Sequence, residues 1–397
     1  SRKLLKNTAI VGGMTLVSRV LGLVRDIVLA RFGATAGMDA FFVAFKIPNF
    51  LRRLFAEGAF AQAFVPVLAE YREQRSPEAV QELISRVAGT LLGILSLVAV
   101  VGVLASPVLI TVFAPGFLYR DVAQFDLAAG MLRLTFPYIL FVSLVAFAAG
   151  VLNTFGRFAA ASLTPVWLNI VLISAALLVA PRLEQAEMAL AGGVLVAGIV
   201  QLLFLLPSLR RIRSLPRPRW GIRDSGVRRI MKLMVPGIIG SSAAQINLLV
   251  DTMLASFLVT GSVTWLFYSD RLMEFPLGVF AIALSTVILP SLSRSHANDA
   301  HDEFSATLDW GLRGVMLVGI PSVAGLVLLA RPILATLFQH GDFTAADVDM
   351  AGLSLTAYAI GLPGFMLIKV LAPAFYSRKD PRTPVRIAII ALVITLV

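Results

Sequence analysis

Nine ionisable side chains crowd a stretch that is otherwise apolar enough for a membrane. From Ser18 to Phe64 the chain reads SRVLGLVRDIVLARFGATAGMDAFFVAFKIPNFLRRLFAEGAFAQAF, with Arg19, Arg25, Asp26, Arg31, Asp39, Lys46, Arg52, Arg53 and Glu57. A charge at bilayer depth costs ~2.5–3.5 kcal/mol on insertion scales. Such groups survive where they face a polar cavity, pair with one another or lie near the headgroups. Asp39, Lys46 and Arg53 are spaced by seven, with Glu57 four further on, which places them on one stripe of a helix. Pro48 is expected to kink or break that helix, and a broken helix is a common way to line a transport cavity. Arg19 and Asp26 are also seven apart. Further along, Asp270 and Glu274 share a helix face, with Arg271 within reach of Glu274.

Arginine stays charged at any relevant pH, and its planar fork suits phosphate oxygens. Arg19, Arg25, Arg52, Arg53 and Arg271 therefore read as a cationic site for a diphosphate or another polyanion. The carboxylates Asp26, Asp39, Glu57, Asp270 and Glu274 either hold those arginines in place or form ion pairs that lock helices together. Asp251 is a membrane carboxylate with few positive neighbours in sequence. It binds a coupling cation or proton on one reading and is a hydrogen-bonded structural group on the other.

These residues need a membrane bundle to hold them. Of 397 residues, 58% are hydrophobic and only 14% are charged, against about a quarter in a soluble domain. Spans of roughly 20 apolar residues are predicted near 8–32, 37–68, 83–113, 126–153, 159–181, 187–209, 229–257, 264–292, 307–330 and 348–376. An eleventh begins near Thr383 and is still apolar at Val397, so a longer chain with further helices is expected. There is no Cys, hence no disulfide or thiol chemistry. The net charge of +11 sits in short loops between apolar spans, a pattern that argues against nucleic-acid binding. Lys and Arg gather in alternate loops, which predicts a cytoplasmic N-terminus.

The basic segment holding Arg210, Arg211, Arg213, Arg217, Arg219 and Arg223 is the best boundary, giving a first lobe 1–209, a linker 210–228 and a second lobe 229–397. It is expected to be a solvated linker that sets topology, with contact to anionic headgroups as its functional reading. The halves share ordered matches. Asp26-x-x-Leu29-Ala30-x-Phe32 recurs as Asp251-x-x-Leu254-Ala255-x-Phe257, and Thr164-Pro165 as Thr383-Pro384. Two six-helix repeats would be parallel, related by a pseudo-two-fold along the membrane normal, with a cavity between them. An enzyme is the poorer reading. His296, His301 and His340 fall in predicted loops, and no metal spacing, nucleophile elbow or phosphate loop appears.

Several segments, among them SRVLGLVRD, DAFFVAFKIPNFLRRLFAEGAFAQAFVPVLAEY and FYSDRLMEFPLGVFAIALSTVILPSLS, together resemble the MurJ (MviN) lipid II flippases. These belong to the multidrug/oligosaccharidyl-lipid/polysaccharide exporter superfamily. The resemblance implies an all-α, fourteen-helix fold in the bacterial inner membrane. Its implied substrate is undecaprenyl-diphosphate carrying a muropeptide, moved from the cytoplasmic to the outer leaflet by alternating access. The family's cavity arginines fall on Arg19, Arg25, Arg52 and Arg271, and its cavity aspartate on Asp39. A sodium site in some relatives falls on helices holding Asp251, Asp380 and Thr395. A monomer, surrounded by membrane lipids and without an organic cofactor, is expected. The rival readings are a sibling exporter of another lipid-linked saccharide, an intramembrane polyprenyl-phosphate enzyme and a non-transporting scaffold.

Overall fold

Inside a bilayer every backbone N–H and C=O must find a partner within the protein, so apolar runs become helices. The computed structural model describes residues 2–53, 59–298, 300–378, 380 and 382–396. It leaves out the side chains of 2–11, 236, 237, 239–248, 279, 282, 283, 285–287, 297, 392, 393, 395 and 396. The described residues are overwhelmingly helical and contain no strand. Among the described residues, six helical stretches are long and apolar enough to cross a membrane by length and composition: Pro77–Leu104, Val122–Thr154, Phe158–Arg182, Ala186–Arg211, His301–Leu328 and Ala345–Ser377. Helices Arg2–Ala30 and Ser225–Ser256 cover two further expected spans.

Several expected spans are interrupted, and proline is usually at the break. The span expected over 126–153 is two helices, Val122–Thr135 and Tyr138–Thr154, divided at Phe136-Pro137. The span over 264–292 is Ser262–Pro276 and Ile282–Ala297, joined by a widened π-turn, Leu277–Ala281. Pro276 has no N–H to give the preceding turn, and the wider turn follows it directly. Pro48 behaves otherwise. The helix Ala36–Arg52 runs straight through it, so the break expected there is not at the proline. His296 and His301 lie within helix ends, in Ile282–Ala297 and at the start of His301–Leu328, not in a loop.

The chain divides into two compact units, Ser1–Leu29 with Thr35–Thr260, and Ala30–Ala34 with Gly261–Val397. This packing division lies at Thr260, whereas the sequence places the boundary at 210–228. The reason is that Ser225–Ser256 is tied to the first unit at both ends. Arg229 pairs with Glu70 at 2.8 Å. At the other end the Ser256 hydroxyl accepts from the Gly116 N–H at 3.0 Å, and Arg120 donates to Thr260 Oγ1 at 2.9 Å. Between them lies an apolar core in which Phe60 stacks on Phe64 at 5.0 Å, and Phe64 tilts against Phe147 at 5.2 Å.

The basic segment keeps most of its side chains exposed, as expected of a solvated linker, but its backbone is docked. Residues 214–224 lie as a strap along Pro77–Leu104. The Arg219 N–H donates to the Ser85 carbonyl at 3.0 Å, Arg217 N–H to Ser85 Oγ at 3.2 Å, and Gly221 N–H to Thr90 Oγ1 at 3.1 Å. Gln81 reaches the Leu215 carbonyl at 2.7 Å. A Cβ on Gly89 would strike the Arg219 backbone, and one on Gly93 the Trp220 ring, so these two glycines form the track in which the strap lies.

In the second unit Tyr268 is buried between Phe338 and Phe343, with ring centroids 4.6 and 5.4 Å away. The short segment Ala30–Ala34 also belongs here. Asp342 N–H donates to the Arg31 carbonyl at 3.0 Å. Gly33 and Gly341 both have positive φ, 69° and 62°. A Cβ on either would lie 2.6 Å from the other loop's carbonyl oxygen, so glycine is required twice over at this clasp.

Candidate functional site

Helix Arg2–Ala30 brings Arg25 and Asp26 into the protein interior, where they are 5% and 0% exposed. Arg25 donates to Asp26 Oδ1 from Nε at 3.0 Å and from Nη2 at 2.6 Å. Its Nη1 donates to Asn169 Oδ1 at 3.0 Å, and the Asn169 amide donates in turn to the Ser18 carbonyl at 3.1 Å. The arrangement is a buried ion pair with a neutral clamp from Thr164–Ser174. Arg25 is committed to that pair rather than presented as a free fork. Arg19, earlier on the same helix, is exposed.

Helix Ala36–Arg52 starts on Thr35, whose hydroxyl accepts from the Met38 N–H at 3.2 Å. Asp39 lies in the first turn, where the helix dipole favours a carboxylate, and is 1% exposed. Lys46 lies further along the same stripe and donates to Thr252 Oγ1 at 2.7 Å. Pro48 leaves the Ala44 carbonyl without its usual intrahelical donor. Thr135 Oγ1 supplies the missing bond at 2.7 Å, which is how the helix passes its proline unbroken. Arg52 is half-buried and donates from Nε to Asn49 Oδ1 at 3.1 Å, whereas Arg53 is exposed. Glu57 lies outside the described residues.

Arg271 stands on Ser262–Pro276 in the second unit, half-exposed. It pairs with Glu274 at 3.2 Å, one turn away, and lies 5.9 Å from the Phe267 ring centroid. Asp270 is half-buried on the same helix.

Of the residues expected to hold a cation, Asp251 is half-buried beside Thr252. Asp380 caps the helix Arg382–Leu396. Its Oδ1 accepts from the Arg382 and Thr383 N–H groups at 3.1 and 3.2 Å, and Oδ2 from the Thr383 hydroxyl at 2.5 Å. The Thr383 bonds hold this carboxyl below the usual aspartate range. The Thr395 side chain lies outside the described residues. Among the described residues no three His, Cys, Asp or Glu side chains gather as a metal site.

Sequence reasoning did not anticipate Asn169, Thr135 or Thr252, each far along the chain from the group it serves. The one available signal was the polar type itself. An Asn or Thr inside an apolar span usually has a partner to satisfy.

Comparison with known proteins places this architecture. The family model described as "Lipid II flippase MurJ" matches residues 28–397. A Vibrio cholerae protein described as "Probable lipid II flippase MurJ" is 52% identical, over 100% of this chain and 77% of its own length. A Burkholderia cenocepacia protein described as "Lipid II flippase MurJ" is 46% identical, over 97% of this chain and 75% of its own. Among solved structures, a lipid II flippase MurJ in an inward closed conformation superposes with a TM-score of 0.81 at 29% identity, covering 96% of this chain and 78% of that one. An inward-facing multidrug MATE transporter of the MOP superfamily shares the fold, with a TM-score of 0.71 at 14% identity over 96% and 88% of the two chains. The buried ionic helices thus stand in a transporter fold, and the chain belongs to the MurJ lipid II flippase family.

Proposed function

We propose that this protein moves lipid II, the undecaprenyl-diphosphate-linked muropeptide, from the cytoplasmic to the outer leaflet of the bacterial inner membrane. The observation that carries this reading is identity of 46–52%, over nearly the whole chain, to proteins described as lipid II flippases or probable lipid II flippases. Arg19, Arg52, Arg53 and Arg271 are the groups that bind the diphosphate, since charge-assisted, bidentate donors suit phosphate oxygens. Arg25 has a different role. Locked to Asp26 and Asn169, it orders the helix that carries Arg19. Translocation is an exchange of open sides by two halves of the molecule, with no covalent step. Asp251 is the group for a coupling cation or proton. The Lys and Arg distribution in the loops supports a cytoplasmic N-terminus.

The test is lipid II translocation in cells depleted of their own flippase, supplied with the full-length protein or its Arg52→Ala and Arg271→Ala forms at equal membrane levels. Translocation by the parent and loss in both variants is the expected result. Failure of the parent would favour a sibling exporter of another lipid-linked saccharide. Full activity in both variants would remove the arginines from the substrate site.

A further inference from the structure

The strap 214–224 shapes a surface pocket that the transport reading leaves unused. The pocket has a volume of about 590 Å³ and is lined by Arg86, Arg219, Trp220, Ile222, Arg223 and Asp224. Arg86 is neutralised by Asp224 at 2.7 Å and by Glu82. Arg219 and Arg223 are exposed and have no side-chain hydrogen bond or ion pair among the described residues. The pocket therefore presents two unused guanidinium groups beside an exposed indole. The backbone beneath them is fixed by the strap's bonds to Ser85 and Thr90, so the arginines are held at one place instead of being scattered along a loose loop.

Immediately beside it, on the same helix, lies a second cavity of opposite character. It is about 240 Å³ and almost wholly apolar, lined by Val87, Leu91, Ile94, Val98, Met231 and Met234 among others. Thr90 and Gly221 link the two: Thr90 lines the apolar cleft, and its hydroxyl accepts from the N–H of Gly221, which lines the first pocket. The cleft runs along Pro77–Leu104 from Val87, beside the strap, to Val98 beyond it, and Val98 and Met231 are more than a third exposed. Cationic donors just ahead of helix Ser225–Ser256, an indole of the kind that sits at headgroup level, and an apolar cleft beside a helix long and apolar enough to cross a membrane supply the parts needed for one amphiphile.

We infer that this paired site binds a single anionic glycerophospholipid, its phosphodiester on Arg219 and Arg223 and an acyl chain in the cleft between Pro77–Leu104 and Ser225–Ser256. With Arg86 already neutralised, two free guanidinium groups suit a monoanionic headgroup of the phosphatidylglycerol type. Such a lipid would bridge the strap to the two helices it touches. The inference does not depend on which lipid-linked saccharide the protein transports.

The test uses the full-length protein in phosphatidylcholine bilayers, carrying a bimane on Met234→Cys, which lines the cleft; residues 1–397 hold no Cys, and any Cys elsewhere is replaced by Ser. Quenching is titrated with brominated-chain phosphatidylglycerol and, separately, brominated-chain phosphatidylcholine. Phosphatidylglycerol is expected to quench at a several-fold lower mole fraction. Arg219→Gln and Arg223→Gln should each lower that preference about 5-fold, until it reaches parity, because a basic residue at a headgroup surface contributes about 1 kcal/mol. The paired Arg210→Gln and Arg211→Gln substitutions, on exposed arginines outside the pocket, should leave the preference in place. Equal quenching by the two lipids would overturn the inference. So would an equal loss of preference in the Arg210/Arg211 control, which would assign the selectivity to general surface charge.

Discussion

Arg25→Ala is the substitution that separates positioning from substrate binding. The Arg25 guanidinium makes two bonds to Asp26 and one to Asn169, all in the interior. Removing it strips a fully buried carboxylate of its arginine, and removing one partner of a buried pair costs roughly 3–5 kcal/mol. At about 1.4 kcal/mol per tenfold, that is a loss of two to three and a half orders of magnitude in the folding equilibrium. Replacing both partners with apolar groups, as Arg25→Met with Asp26→Leu, should recover most of this, since such swaps are often neutral. Asn169→Ala should cost less, about 1.5–3 kcal/mol, because it removes one hydrogen bond to a charged group and a neutral one to the Ser18 carbonyl while leaving the ion pair in place. The assay is thermal unfolding of the purified full-length protein, read alongside lipid II translocation. The expected order of midpoints is Arg25→Ala lowest, Asn169→Ala intermediate, and the double replacement near the parent. An Arg25→Ala midpoint equal to the parent's, with translocation lost, would refute the positioning role and return Arg25 to the substrate site.

Thr135→Val should destabilise by about 1 kcal/mol by leaving the Ala44 carbonyl without its donor. In Pro48→Ala, which restores an intrahelical N–H, the same change should cost nothing; additive effects in the double-mutant cycle would refute the pairing. Gly33→Ala and Gly341→Ala should each lower the thermal midpoint markedly, since both force an L side chain into positive φ and against a carbonyl 2.6 Å away. A parent-like midpoint in either would show that the clasp is not required. The Arg229 hydrogen bond holds Glu70 below the usual glutamate range. A depressed carboxyl stabilises the fold above its unfolded pKa and loses that contribution as pH falls through the folded value. The parent should therefore lose more stability than Glu70→Gln between neutral pH and acid, and parallel pH profiles would exclude the contribution.

The helices were legible because bilayer physics leaves few alternatives to an apolar run of this length. What the sequence could not show is where polar side chains on other helices repair or redirect those runs. Pro48 carries a local signal for a break, and the signal is real, but Thr135 cancels it from far along the chain. Arg25 and Arg52 look equivalent as letters, and it is the folded pairing with Asp26 and Asn169 that makes one of them a buried strut. The strap misleads more thoroughly. A run of arginines, prolines and polar residues has the composition of a solvated loop, whereas its docking depends on backbone N–H groups, which no composition reveals. Gly89 and Gly93, four apart on one helix face, were the readable hint that something lies close against that helix.

The adjacency of Arg25 and Asp26 also bears on how the chain is made. Both residues leave the ribosome together, so the first helix reaches the insertion machinery with these two charges, buried in the folded protein, already side by side. Asn169, a further partner of Arg25, is 144 residues away. At about 5–20 residues per second it emerges roughly 7 to 30 s later. A pair formed by distant residues would expose a lone guanidinium to lipid throughout that interval. Here the nascent helix carries its own counter-ion, and the late amide has only to fix an orientation that biosynthesis has already made possible.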